Sequence, residues 1–157
     1  MNDPEVLKSK FWAAIRAHPT VMLCTGEDSA ARPMTAQFQA PSHDVWFFAS
    51  RRSPMVTATD TAARLIYVGK GHDLFATVRG TMRLDRDPAR IDQLWSPAIA
   101  AWYKGGKQDP DLALLRFRPQ DAEIWLNEFS LVAGIKLLLG ADPKREFADT
   151  VAKDVRL

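Results

Sequence analysis

The chain has 157 residues, 46% of them hydrophobic and 25% charged, and its 21 basic and 19 acidic side chains leave a formal charge of +2. A chain of this length buries roughly 70% of its unfolded surface, so a core forms without disulfides or a structural metal, which argues against a disordered or zinc-finger identity. Divided at residue 78, the halves carry 8 basic with 7 acidic and 13 basic with 12 acidic side chains, so no basic arm for nucleic acid stands out. No apolar run reaches the roughly 20 residues that cross a bilayer, and the start Met1-Asn2-Asp3-Pro4-Glu5 predicts no leader. One cysteine, Cys24, allows no internal disulfide and fits a cytoplasmic protein.

Asp3-Pro4 has the form of a helix cap and first helical residue, and Leu7, Phe11, Ala14 and Ile15 keep helical spacing until Pro19. Extended runs follow at Thr20 to Thr25, Arg32 to Ala40 and Val45 to Ala49, separated by turns at 26–29 and 41–44. Ser53-Pro54 predicts a short helix to about Thr61, followed by a strand from Arg64 to Val68. After a turn at 69–73, Leu74 to Leu84 alternates as a long strand with a bend or bulge at Gly80. Asp87-Pro88 opens a helical stretch carrying Ile91, Leu94, Trp95, Ala98 and Trp102, which Ser96-Pro97 is placed to split in two.

A polar loop at 104–110 leads to strands at Leu112 to Phe117 and Ala122 to Leu126, then to a buried-type strand at Leu131 to Leu139. Residues 1–140 read as a single domain and 141–157 as a tail or short helix. About seven short strands joined by tight turns, with flanking helices, predict a mainly β (α+β) fold built on an antiparallel barrel or sheet.

Familiar catalytic patterns are missing. His18, His43 and His72 are far apart and Cys24 stands alone, so no metal site is expected. No serine sits in a nucleophile elbow, and neither phosphate-binding glycine motif occurs. Asp85 and Asp87 serve better as helix caps than as an acid/base pair. The informative segments are Arg32-Pro33-Met34-Thr35-Ala36-Gln37 and Trp46 to Met55, and across residues 29–58 three arginines accompany a single acid, Asp44. An arginine fork, serine hydroxyls and free backbone N–H groups suit a phosphate. The plainer alternative makes Arg51 and Arg52 a solvated loop and Ser53 only a cap. Trp12, Trp95 and Trp102 read as core or dimer packing, although Trp102-Tyr103 precedes a glycine-containing loop placed to cover a cleft. Cys24 reads as an inert core residue.

From about Val6 to Trp125 the chain resembles the general-stress-protein branch of the FMN-binding split-barrel superfamily, which also contains pyridoxamine 5′-phosphate oxidase. The resemblance rests on the order and spacing of Phe11-Trp12, Arg32-Pro33-Met34, Trp46-Phe47, Ser53-Pro54, Gly80, Leu94-Trp95, Ala101-Trp102-Tyr103, Gly106 to Asp111 and Ala122 to Trp125. It implies a split barrel of six or seven antiparallel strands, a homodimer, and FMN in clefts at the subunit interface.

By the same resemblance, Arg32, Pro33, Met34, Thr35 and Gln37 line the flavin, Phe48, Ala49 and Ser50 lie on the neighbouring strand, and Ser53 approaches the phosphate. Trp125 falls where related oxidases reach the partner subunit's flavin. Pro54-Met55 replaces an Arg-Lys phosphate pair of those oxidases, leaving Arg51, Arg52 or Arg32 to compensate. Asn127 to Leu131 lacks the arginine and histidine that they use, which argues against pyridoxamine phosphate oxidation. The implied function is FMN binding of the general stress type, with flavin redox chemistry on an unknown substrate. The alternatives are a non-catalytic flavin-binding or flavin-sensing module, or the same barrel with a deazaflavin, haem or no ligand. His72 and Lys107 are the only candidates for proton transfer near the predicted loops.

Overall fold

The first helix, α1 (Pro4–Ala17), begins as its sequence dictates, with the Asp3 carboxylate accepting from the Glu5 N–H at 2.9 Å. Its apolar stripe of Leu7, Phe11, Trp12 and Ile15 is buried. A computed structural model describes residues 3–26, 30–56, 60–127 and 151–157. Among them are eight strands: β1 (Thr20–Thr25), β2 (Arg32–Thr35), β3 (Gln37–Phe38), β4 (Val45–Ser50), β5 (Thr61–Val68), β6 (Leu74–Asp85), β7 (Leu112–Leu126) and β8 (Val151–Arg156). Two short helices, α2 (Pro88–Leu94) and α3 (Pro97–Ala100), interrupt the strands. No helix among the described residues is long and apolar enough to cross a membrane.

All strand pairs are antiparallel, and seven strands run in the order β2-β1-β5-β6-β7-β4-β3, with β8 added beside β7. The two ends of this order, β2 and β3, are consecutive in the chain and separated only by Ala36. Residues 32–38 therefore form a seam that joins one edge of the sheet to the other and curls it into a barrel. Ala36 is buried, and its N–H donates to the Pro19 carbonyl at 2.8 Å, which pins the crossing point. Inside lie the alternate residues of the strands, among them Leu23, Leu65, Tyr67, Val78, Phe117 and Ile124, and α1 closes the core with Phe11 and Ile15. A buried phenylalanine such as Phe117 is worth about 3–5 kcal/mol on truncation to alanine.

The mainly β, antiparallel reading holds, and the structure corrects it in four places. Arg32 to Ala40 is two short strands, because the chain changes partners at Ala36. Among the described residues after Ser53, 54–56 form no helix: the Ser53 hydroxyl accepts from the Met55 N–H at 3.3 Å and its carbonyl from the Val56 N–H at 3.0 Å, so the capping chemistry closes a turn, while 57–59 lie outside the described residues. The two strands at 112–117 and 122–126 are one, β7, since Pro119 faces Gly80 at the register shift in β6 and the ladder continues beyond it. Within the expected tail or short helix at 141–157, residues 151–156 are strand β8, paired with β7, so the sheet extends past residue 140. The strand expected at 131–139 lies outside the described residues.

The predicted helical stretch does divide at Ser96, whose hydroxyl accepts from the Ile99 N–H at 3.3 Å and so restarts the chain as α3. Leu94 and Ile91 of α2 cover Trp46 and Leu114 on the outer side of β4 and β7. Ile99 and Tyr103 follow on Leu112 and Phe48. This packing sets α3 beside the C-terminal end of β4, across from the seam.

Elsewhere, among the described residues, the outer surface of the sheet carries apolar side chains that are exposed or half-buried. Met22 lies opposite Ile66, and Val68 opposite Phe75, which is opposite Trp125. Met22 and Val68 are exposed, and Ile66, Phe75 and Trp125 half-buried.

Candidate functional site

Between the seam, the end of β4 and α3 lies a cavity of about 780 Å³, a volume suited to a cofactor-sized molecule. Arg32, Pro33, Met34, Thr35 and Gln37 supply one side, Phe48, Ala49, Ser50 and Ser53 the floor, and Ser96, Ala98, Ile99, Trp102 and Tyr103 the opposite wall. Thr20, Met55 and Asp111 complete the lining. Among the described residues the strand β2 is paired only with β1, so its other row of backbone groups faces no described strand. Pro33 on that strand removes one N–H without breaking a central ladder.

Nine of the eleven residues expected at a cofactor thus meet in one cavity. Arg51 and Trp125 do not line it. Arg51 donates from its guanidinium to the Leu112 carbonyl at 3.2 Å and lines a separate cavity with Arg86 and Lys107 behind α2. Trp125 stands on the apolar outer face of β7 described above. The sequence reading missed Thr20, Met55, Ser96, Ala98, Ile99 and Asp111. Asp111 belongs to the 106–111 segment that marked the family resemblance, and Thr20 pairs in register with Thr35, a contact that alternation alone does not reveal.

The polar end of the cavity is built around Asp111. Its carboxylate accepts from the Ser50 hydroxyl at 2.8 Å and, on the same Oδ1, from Arg52 Nε at 3.3 Å. Its N–H donates to Asp109 Oδ1 at 2.9 Å, while Asp109 Oδ2 accepts from the Gly105 N–H at 2.9 Å. These backbone donors, first that of Asp111 and then that of Gly105, hold the Asp109 carboxyl below its ordinary range. Arg32 is the single cation among the described lining residues. Where an Arg-Lys pair would stand in related oxidases, Met55 is buried and turned into the core.

Tyr103 is packed between Phe48 and Trp95, with ring centroids 6.5 Å from each. Burial, followed by the charges of Asp111 and Asp109, raises its hydroxyl above the usual tyrosine value. Trp102, next in the chain, is 84% exposed. Of the two proton-transfer candidates, Lys107 is paired with Asp92 at 2.9 Å and lines the separate cavity, and His72 sits in the turn before β6. Neither lines the seam cavity. Cys24 is buried and donates weakly to the Arg64 carbonyl at 3.5 Å.

The model of the family described as pyridoxamine 5′-phosphate oxidase like matches residues 7–144. The chain belongs to that family. Solved structures similar to the chain include that of a general stress family protein of Xanthomonas campestris pv. campestris, 48% identical, with a TM-score of 0.77 over 89% of this chain and 100% of that one. The general stress FMN/FAD binding protein of Xanthomonas citri is also 48% identical, with a TM-score of 0.76 over 87% of this chain and 99% of that one. General stress protein 26 from Jannaschia sp. CCS1 shares the fold at 24% identity and a TM-score of 0.76, over 98% and 99% of the two chains. No curated protein matches the chain. The curled antiparallel sheet of this family member is a split barrel.

Proposed function

We propose that this pyridoxamine 5′-phosphate oxidase-like protein is an FMN-binding protein of the general stress type, with the cofactor in the seam cavity and flavin redox chemistry as its activity. The observation that carries the reading is the convergence of Arg32 to Thr35 and Gln37 with Phe48 to Ser50 and Ser53 around one space. The chemistry of the lining fits the group: an unpaired strand edge for the hydrogen-bonding side of a flat ring, apolar Met34, Phe48 and Ala49 for its faces, and hydroxyls with one arginine for a phosphate. The FMN/FAD binding named for the Xanthomonas citri relative supports the same reading.

When bound, the flavin supplies hydride or single-electron transfer. The chain's own residues then bind and orient it. Arg32 and the Ser50 and Ser53 hydroxyls hold the phosphate, and Arg52 moves from Asp111 to share its charge. The apolar outer face with Met22, Ile66, Val68, Phe75 and Trp125 receives a second copy, which makes the working unit a homodimer and brings Trp125 toward the partner's cofactor. A single buried thiol suits a cytoplasmic setting.

The test is a titration of purified, flavin-stripped protein with FMN, followed by tryptophan and flavin fluorescence. Saturable binding in the micromolar range or tighter is expected, weakened at least about tenfold in Arg32→Ala, the size of effect that a charge-assisted contact carries. A colourless protein whose fluorescence ignores FMN would overturn the reading. Anaerobic addition of NADH or NADPH then separates redox turnover, seen as bleaching of the flavin band, from flavin storage.

A further inference from the structure

The two sides of the seam cavity differ in chemistry. The seam and the end of β4 carry Arg32, Gln37 and the hydroxyls of Ser50 and Ser53. The α3 wall carries Ala98, Ile99, Trp102 and Tyr103 and no cation. A phosphate belongs to the first side, so the second is free to serve another molecule.

Two features of that wall are unusual for a surface that merely encloses. Trp102 is 84% exposed while its neighbour Tyr103 is 9% exposed. An indole exposed to this degree adds little to the core and presents a flat apolar face on the lining of the cavity. Tyr103, although held on two sides by Phe48 and Trp95, has a hydroxyl with no hydrogen-bond partner among the described residues, and it is not one of the sealed polar atoms. A mostly buried phenol normally finds an acceptor. Tyr103 is one of the residues that line the cavity. Burial, and then the charges of Asp111 and Asp109, keep its hydroxyl protonated, and the two carboxylates make its surroundings unfavourable for an anion.

The geometry points to the α3 wall as a subsite for a second ligand, a neutral planar aromatic molecule bearing a carbonyl or quinone-type oxygen. Trp102 stacks on its ring and Tyr103 donates a hydrogen bond to its oxygen. Phosphorylated substrates are disfavoured there because the wall itself supplies no cation and the cavity lining includes the Asp111 carboxylate. This deepens the flavin reading and rests on it, since the second ligand lies beside the cofactor that the seam holds.

Duroquinone is a suitable probe, because its fully substituted ring adds to neither thiols nor amines. Calorimetric titration into the oxidised, flavin-loaded protein should give saturable binding of one molecule per chain. Trp102→Ala should weaken it about tenfold and Tyr103→Phe several-fold, the ranges of an aromatic stack and of one neutral hydrogen bond. Equal affinity in all three proteins, or no saturable binding to the parent, overturns the assignment. So does a fall in flavin content in Trp102→Ala that tracks the loss of duroquinone, for the wall then belongs to the flavin itself. If the parent takes up no flavin, the functional reading fails separately. The titration is then made on the flavin-free protein, where dependence on Trp102 and Tyr103 upholds the subsite and independence from them removes it.

Discussion

The Ser50 hydroxyl donates to Asp111 Oδ1 at 2.8 Å, and so one of the cavity's serines is already engaged by a carboxylate. Arg52 approaches the same oxygen at 3.3 Å. A phosphate entering this end of the cavity competes with Asp111 for both partners and meets its negative charge. Replacing Asp111 with asparagine keeps an acceptor for Ser50 and removes the charge. FMN should bind Asp111→Asn several-fold more tightly than the parent at low ionic strength, with the gap closing at high salt as the repulsion is screened. Flavin fluorescence titrations at two salt concentrations measure it, and weaker binding in the variant would place the phosphate elsewhere.

Alkaline stability should register Tyr103. Burial first, then Asp111 and Asp109, raises its folded-state pKa above the ordinary 10.0. The folded state therefore holds this proton at pH values where the unfolded chain has begun to lose it. The resulting stabilisation is fully present below pH 10.0 and is lost as pH rises through the folded value. Tyr67, also raised by burial and then by Asp73, acts in the same direction. Thermal melts of Tyr103→Phe should fall less steeply than those of the parent above pH 10.0, while the remaining slope reports Tyr67.

Among the described glycines, Gly80 is the one where an added methyl group has no room. A Cβ there would collide with the Arg118 carbonyl and press on the Phe117 ring. The collision is with backbone, which cannot rotate away. Gly80→Ala should lose at least about 1–3 kcal/mol in urea denaturation, the usual cost of overpacking a filled core. A variant as stable as the parent would mean that the β6–β7 register shift relaxes freely.

The apolar outer face gives a test of assembly. Val68 is 48% exposed and lies opposite Phe75, which is in turn opposite Trp125. A charge at its centre would have to be buried without a partner on association. The parent should elute with a light-scattering mass twice 17.6 kDa, and Val68→Glu should shift toward the single-chain mass and bind FMN more weakly. A parent of single-chain mass would remove the dimer from the reading.

What the sequence made legible follows from the range of the forces involved. Caps are local, so Asp3, Asp87 and Ser96 could be read from two or three neighbouring residues, and each holds its backbone N–H in the structure. Ser53 carries the same signal but closes a turn, its hydroxyl accepting from the Met55 N–H and its carbonyl from the Val56 N–H. The seam side of the cavity was legible because its residues are contiguous, Arg32 to Gln37 and Phe48 to Ser53. The α3 wall was not, since Ser96, Ala98 and Ile99 reach the cavity only through the packing of α2 and α3 over Trp46 and Phe48. Strand β8 was hidden for a related reason: pairing with β7 is a long-range choice that six polar-rich residues do not announce.

Because residues 32–38 both close the barrel and line the cavity, the latch of the fold and the rim of the site are one piece of chain. A ligand seated there holds the latch shut, and its binding energy appears directly as resistance to unfolding. Loss of the cofactor is then felt first as slackening at β2 and β3, long before the β5–β6–β7 centre gives way. Substitutions in this stretch accordingly change two properties at once, so a variant selected for an altered ligand carries a changed melting temperature with it.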